Sequence, residues 1–153
     1  MAQMGGVYTA TWNNLDLGHT KEGYGIGIED LWEEIKCDRL GKALYDLWFV
    51  GKLVVVTIHA LEWAANIRSL MSQTGSLGGV TNIGKGALAS FAKALVLTPS
   101  TGNADDTFTF HKTLWRGRTN LNLNTLPRTI PLELAVLPDL NQAAGEEFFT
   151  RSV

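Results

Sequence analysis

The run Val54-Val55-Val56-Thr57-Ile58 constrains this chain more than any other segment. Five consecutive β-branched residues lose side-chain freedom in a helix and pack well on a pleated surface, so residues 52–60 are predicted as a strand. The pattern then changes period. Trp63, Ile67, Leu70 and Met71 recur at i, i+4, i+7 and i+8. They share one helical face, so residues 61–71 are predicted as a helix covering a sheet.

Other segments also read as strands. Residues 7–12 favour a half-buried strand, and Asn13-Asn14-Leu15-Asp16 supplies the turn chemistry of a hairpin. Gly18, Gly23, Gly25 and Gly27 interrupt the next strand and leave one face almost without side chains, a face suited to close packing. Residues 32–38 form a separate strand in this reading. Ile35 and Cys37 lie on one side, with Trp32, Glu34, Lys36 and Asp38 on the other. Residues 40–50 read as a loop, 72–86 as a Gly- and Ser-rich loop and 87–92 as a turn of helix.

Residues 95–98 read as a short strand, and Thr107-Phe108-Thr109-Phe110 opens an alternating one. In residues 128–137, Ile130, Leu132, Leu134 and Val136 fall on one side, while Pro131 places the strand at an edge or at its own start. Residues 116–124 are a polar excursion, and residues 143–149 a short helix or an arm. With no internal repeat and no linker composition, residues 1–153 are expected to be a single domain, mainly β with one helix.

Charged residues make up only 18% of the chain, low for a freely soluble monomer, so much of its surface is expected to be interface. A formal charge of −2 gives no broad basic footprint for nucleic acid. The single cysteine, Cys37, permits neither an intrachain disulfide nor a cysteine-based zinc site. The first residues lack a signal-peptide pattern and no segment supplies about 18 consecutive apolar residues. The expectation is a chain neither secreted nor membrane-bound by itself.

No arrangement of residues anchors a catalytic reading. Gly79-Val80-Thr81-Asn82-Ile83-Gly84-Lys85 matches a phosphate-loop skeleton, but Gly86 stands where a magnesium-binding Ser or Thr is needed. No strand precedes it to aim backbone amides at phosphates. His19, His59 and His111 lie in separate segments without metal-ligand spacing, and Glu33 and Glu34, adjacent on a strand, point to opposite faces. The five tryptophans, Trp12, Trp32, Trp48, Trp63 and Trp115, suit core or subunit packing better than base stacking. No enzyme activity, cofactor or metal is expected.

Taken in order, Leu17-Gly18, the glycine strand, Leu40-Gly41, Gly51 and residues 53–71 form a series of small motifs. Gly84-Lys85-Gly86-Ala87-Leu88, residues 92–99 and Thr129-Ile130-Pro131-Leu132-Glu133-Leu134-Ala135 continue it. This series resembles the tail tube proteins of long-tailed bacteriophages. Trp48-Phe49 and residues 116–124 depart from the pattern. The resemblance implies an antiparallel β-sandwich or partly open barrel with one flanking α-helix. Six subunits would join their sheets into a ring, and stacked rings would form a tube passing double-stranded DNA without sequence preference. It further implies a virion protein assembled in the host cytoplasm beside other tail and neck proteins. Alternatives are a neck or tail-terminator protein, a capsid decoration protein and, from another class, a small nucleotide-binding module.

Two sets of residues follow as candidates under this reading. A lumen that lets DNA slide favours carboxylates over lysine and arginine, which nominates Glu22, Glu29, Glu34 and Asp38. Leu44, Tyr45, Leu47, Trp48 and Phe49 are too apolar for a solvated loop and are the candidate subunit or ring-to-ring interface.

Overall fold

A computed structural model describes residues 8–61, 65–73, 89–99, 106–116 and 129–152. The strands are β1 (Tyr8–Trp12), β2 (Leu15–Asp16), β3 (Thr20–Cys37), β4 (Ala43–Ala60), β5 (Lys93–Pro99), β6 (Thr107–Trp115), β7 (Ile130–Leu137) and β8 (Phe149–Ser152). The helix α1 (Ala65–Met71) follows β4. All eight strands join one antiparallel sheet in the order β2-β1-β5-β6-β7-β4-β3, with β8 also on β6. The chain is thus mainly β with one helix among the described residues, and its sheet is not closed into a barrel.

The sequence pattern explains the sheet's two faces. In the second half of β4, Val54, Val56, Ile58 and Ala60 are buried and alternate with half-exposed Val55, Thr57 and His59. Ile130, Leu132, Leu134 and Val136 of the neighbouring β7 are buried in the same way, as their spacing predicts. Leu95, Leu97, Phe108 and Phe110 extend the buried face across β5 and β6. Ile67, Leu70 and Met71 of α1 lie against it. Trp63, the fourth residue of the predicted helical face, lies outside the described residues.

Turns and strand ends follow local chemistry. Asn13 and Asn14 both adopt positive φ, 51° and 62°, between β1 and β2. Two left-handed residues suit a tight hairpin, and asparagine tolerates that conformation. Among the described residues β6 pairs β7 from Leu134 to Leu137. Pro131 is the second residue of β7, a strand start where proline is tolerated, and it lies opposite His59 of β4.

Three expectations need correction. The two strands predicted at residues 22–29 and 32–38 are one continuous strand, β3. The loop predicted at 40–50 is a three-residue 3-10 turn at Asp38–Leu40, a tight tip and the first half of β4. The closing segment, read at 143–149 as a short helix or an arm, contains no helix: turns and bends lead into Phe149–Ser152, a strand on β6. The turn of helix read at 87–92 is present among the described residues as a 3-10 turn, Ala89–Phe91.

Gln73 ties the end of α1 to the sheet. Its Nε2 donates to the carbonyls of Phe91 and Thr113 at 3.1 Å, and its Oε1 accepts from the Trp115 amide at 2.7 Å. A buried Leu in its place leaves those backbone groups without this partner, at a cost of about 1–3 kcal/mol for each group left unsatisfied. The expected result for Gln73→Leu is a destabilisation in that range or above, read from urea unfolding.

Tyr24 projects from β3 onto the core, with its hydroxyl buried and lacking a hydrogen-bond partner among the described residues. Burial raises its phenol above the ordinary value. A raised folded-state value means that the contribution is complete below the unfolded value of about 10. It is lost as pH rises from there through the folded value. Melting temperature should therefore fall in this alkaline window, with a shallower fall for Tyr24→Phe.

Candidate functional site

β3 and β4 are 18 residues each and pair along nearly their whole length, but the rest of the sheet supports only the inner half of β4. β7 pairs β4 from Val54 to Ala60 and no further. Beyond Val54 the hairpin is a two-stranded arm whose outer edges pair with nothing among the described residues. From residue 29 to 50 every described side chain is exposed except the half-buried Ile35 and Cys37. An isolated two-stranded ribbon is marginal in water, so the arm is the least supported part of the described sheet.

The arm is divided by strand rather than by face. β3 contributes Glu29, Asp30, Glu33 and Glu34, while β4 contributes Leu44, Tyr45, Leu47, Trp48, Phe49 and Val50. Cross-strand neighbours therefore set carboxylates beside apolar groups, with Glu33 opposite Trp48 and Glu34 opposite Leu47. Trp32 and Phe49 supply the one aromatic pair, edge to face at 5.3 Å. The ion pairs Lys52–Asp30 at 3.4 Å and Lys36–Glu34 at 3.6 Å are exposed and add little to stability.

Two bulges give the arm its outward side chains. Leu31 pairs Gly51 but Trp32 pairs Phe49, leaving Val50 as the extra residue. Ile35 pairs Asp46 but Lys36 pairs Leu44, leaving Tyr45. These two unpaired residues, at 68% exposure for Tyr45 and 63% for Val50, are the most exposed large apolar groups of the arm. A bulge re-aims the residue it inserts, and both insertions lie on the apolar strand.

At the base of the arm, a groove of about 620 Å³ opens between β4 and the C-terminal segment. Ile28, Phe49, Leu140, Phe148 and Phe149 give it apolar walls, with Lys52 and Glu147 among its polar residues. Its origin is topological. β7 runs along β6 from Trp115 to Lys112, and β8 continues in the same direction along the same edge from Phe110 to Thr107. Residues 138–148 loop out between them. Asp139 stabilises this excursion by accepting from the Gln142 side chain at 3.1 Å and the Asn141 amide at 3.2 Å, which holds its carboxyl below the usual range.

The five residues expected at an interface, Leu44, Tyr45, Leu47, Trp48 and Phe49, lie together on the exposed half of β4. Sequence reasoning missed Val50, Leu31 and Trp32, which extend the same surface, and the groove residues Leu140, Phe148 and Phe149. The four nominated carboxylates do not form one set. Glu29 and Glu34 are five apart on an uninterrupted strand and so face opposite sides. Asp38 starts the turn at the tip, and the Glu22 side chain lies outside the described residues.

The glycine strand lies with its bare face outward. Gly25 and Gly27 are exposed on the sheet face away from the core, opposite Thr57 and Val55. An added Cβ at either would make only ordinary contacts, at 3.8 and 3.7 Å, so no packing among the described residues demands them. The phosphate-loop-like residues 79–86 lie outside the described residues. Among the described residues no three His, Cys, Asp or Glu side chains converge as a metal site would require, and no helix is long and apolar enough to cross a membrane.

No family model matches the chain, and no curated protein is detectably similar to it.

Proposed function

We propose that this protein is a structural subunit that assembles with its own copies, in the manner of a phage tail tube, and has no catalytic role. One observation carries the reading: a hairpin arm with an apolar edge, Leu44 to Val50, that pairs only β3 among the described residues and is held away from the core that stabilises the fold. Free strand edges and exposed aromatics are a hazard to a monomer, and pairing them with neighbouring copies converts that hazard into directed assembly. In this reading the outer sheet face, with Gly25, Gly27, Thr57, Glu29 and Glu133, forms the channel wall. Small side chains and carboxylates give DNA phosphates little to bind.

Negative-stain electron microscopy across a concentration series tests the proposal. Hollow tubes of uniform width are the expected result. Isolated rings would support the terminator or neck alternative instead, and monomers at every concentration would overturn self-assembly.

A further inference from the structure

The arm has two free edges among the described residues, and they differ in charge. Along β3, Glu29, Asp30, Glu33 and Glu34 outnumber Lys36, so two β3 edges brought together would oppose like charges. Charged side chains of this kind keep an edge strand from pairing. From Ala43 to Leu53, β4 carries only Asp46 and Lys52, and Lys52 is already held by Asp30 at 3.4 Å. The free edge without net charge is therefore that of β4. Its Leu47 amide donates to Asp46 Oδ1 at 2.8 Å, a local acceptor that a strand carbonyl can replace. Cross-strand partners share a face, so Leu44, Leu47 and Phe49 lie with Lys36, Glu34 and Trp32 on one side of the arm. Ala43, Asp46, Trp48 and Gly51 lie on the other with Cys37, Ile35, Glu33 and Leu31.

We propose that two copies pair through their β4 edges, antiparallel, about a two-fold axis at Leu47, an inference that rests on the reading above that copies associate through the arm. The space beside the edge sets the register. It ends at Val54, where β7 begins to pair, and the strand itself ends in the turn at Gly41 and Lys42. A second β4 laid antiparallel there must finish its own turn short of β7, which centres the pair on Leu47. The faces then match. Leu47 meets Leu47 of the second copy, Leu44 meets Phe49 on the same face, and Asp46 and Ala43 meet Trp48 and Gly51 on the other, with the bulged Tyr45 and Val50 left over on both strands. Such a contact uses one patch twice and closes after two copies. The dimer is thus a stored form with its apolar edges shielded, and growth through the same edge requires it to open. Its size suits that role. Tyr45, Trp48 and Phe49 are 68%, 61% and 55% exposed, which at roughly 150–250 Å² per aromatic side chain offers roughly 280–460 Å². With Leu44, Leu47 and Val50 each copy reaches about 600 Å², the lower limit of specific interfaces and the range of reversible ones.

Cysteine cross-linking of the full chain tests the contact. In a Cys37→Ser background, Leu47→Cys sets two thiols across the axis within disulfide reach. Glu33→Cys does not, because the two β3 strands lie on the outside of the four-stranded ribbon, about 14 Å apart. Both positions are exposed, and far-ultraviolet circular dichroism verifies that each variant is folded. Under mild oxidation, below the concentration of tube growth, Leu47→Cys should give a covalent dimer and Glu33→Cys should not. The locked dimer should stay out of tubes until a reductant is added. Leu47→Lys opposes two like charges at the axis and should raise the dimer dissociation constant about tenfold or more in sedimentation velocity. Tubes that grow with no dimer forming, or a cross-link from Glu33→Cys in place of Leu47→Cys, would overturn the two-fold contact and leave the assembly reading standing. A locked dimer that grows unreduced would overturn its role as a stored form. Dimers that cross-link at Leu47 but never grow into tubes or rings would uphold the contact and remove the tube reading.

Discussion

Excising residues 32–50 and joining Leu31 to Gly51 through an Asn-Gly turn should leave a folded monomer that no longer assembles. Leu31 and Gly51 are already cross-strand partners, and a two-residue turn of this kind fits a twisted hairpin. Not one buried residue of the core lies in the excised stretch. The melting temperature should therefore move by only a few degrees, while sedimentation and microscopy change from polymer to monomer. An arm that serves only the fold would give the opposite pair of results: a large fall in stability, with association among the remaining folded molecules unaffected. The experiment thereby separates the two duties of the β3–β4 hairpin at the point where β7 stops.

Phe110→Ala should have the largest effect on stability of any single truncation considered. Its ring is fully buried in β6, a strand that pairs β5, β7 and β8, and it packs on Phe149 with centroids 5.5 Å apart. Large-to-small replacement of a buried Phe costs about 3–5 kcal/mol through lost transfer energy and the cavity left behind. For a chain of this length that corresponds to a fall of roughly 10 °C in melting temperature. Phe149 is only half-buried and lies in a four-residue strand, so Phe149→Ala should cost less. Paired urea titrations would check both values. A loss below 1 kcal/mol for Phe110→Ala would mean that the core closes readily around a missing ring.

What the sequence disclosed tracks which residues face the core. Val54, Val56 and Ile58, and Ile130 to Val136 at every second position, are buried where alternation predicts, because one wet face and one dry face impose a period of two. The arm lacks that asymmetry. With both faces exposed, Glu29 to Cys37 shows no period that would join it to the strand before it, and Leu47-Trp48-Phe49-Val50 has no alternation at all. Bulges at Tyr45 and Val50 then reset the register without any local signature. Leu44, Tyr45, Leu47, Trp48 and Phe49 stood out as too apolar for a loop, but their strand conformation did not. The groove was illegible for another reason. It depends on β8 taking up the line of β7 along β6 after an eleven-residue excursion, and such long-range pairing leaves no trace in either segment.

The tight tip at Gly41 and Lys42, both left-handed at φ 67° and 62°, also bears on the order in which the molecule forms. β3 and β4 are consecutive and close a short loop, whereas β1 must find β5 across more than eighty residues and β4 must find β7 across seventy or more. A local hairpin forms in roughly 1–10 µs, but sheets made of distant pairings take milliseconds to seconds. The sticky ribbon is therefore available during synthesis, well before the body that will carry it is complete. At high expression, chains with formed arms and open cores would meet one another. Yield of this protein should accordingly depend on the rate at which it is made, rising when translation is slowed.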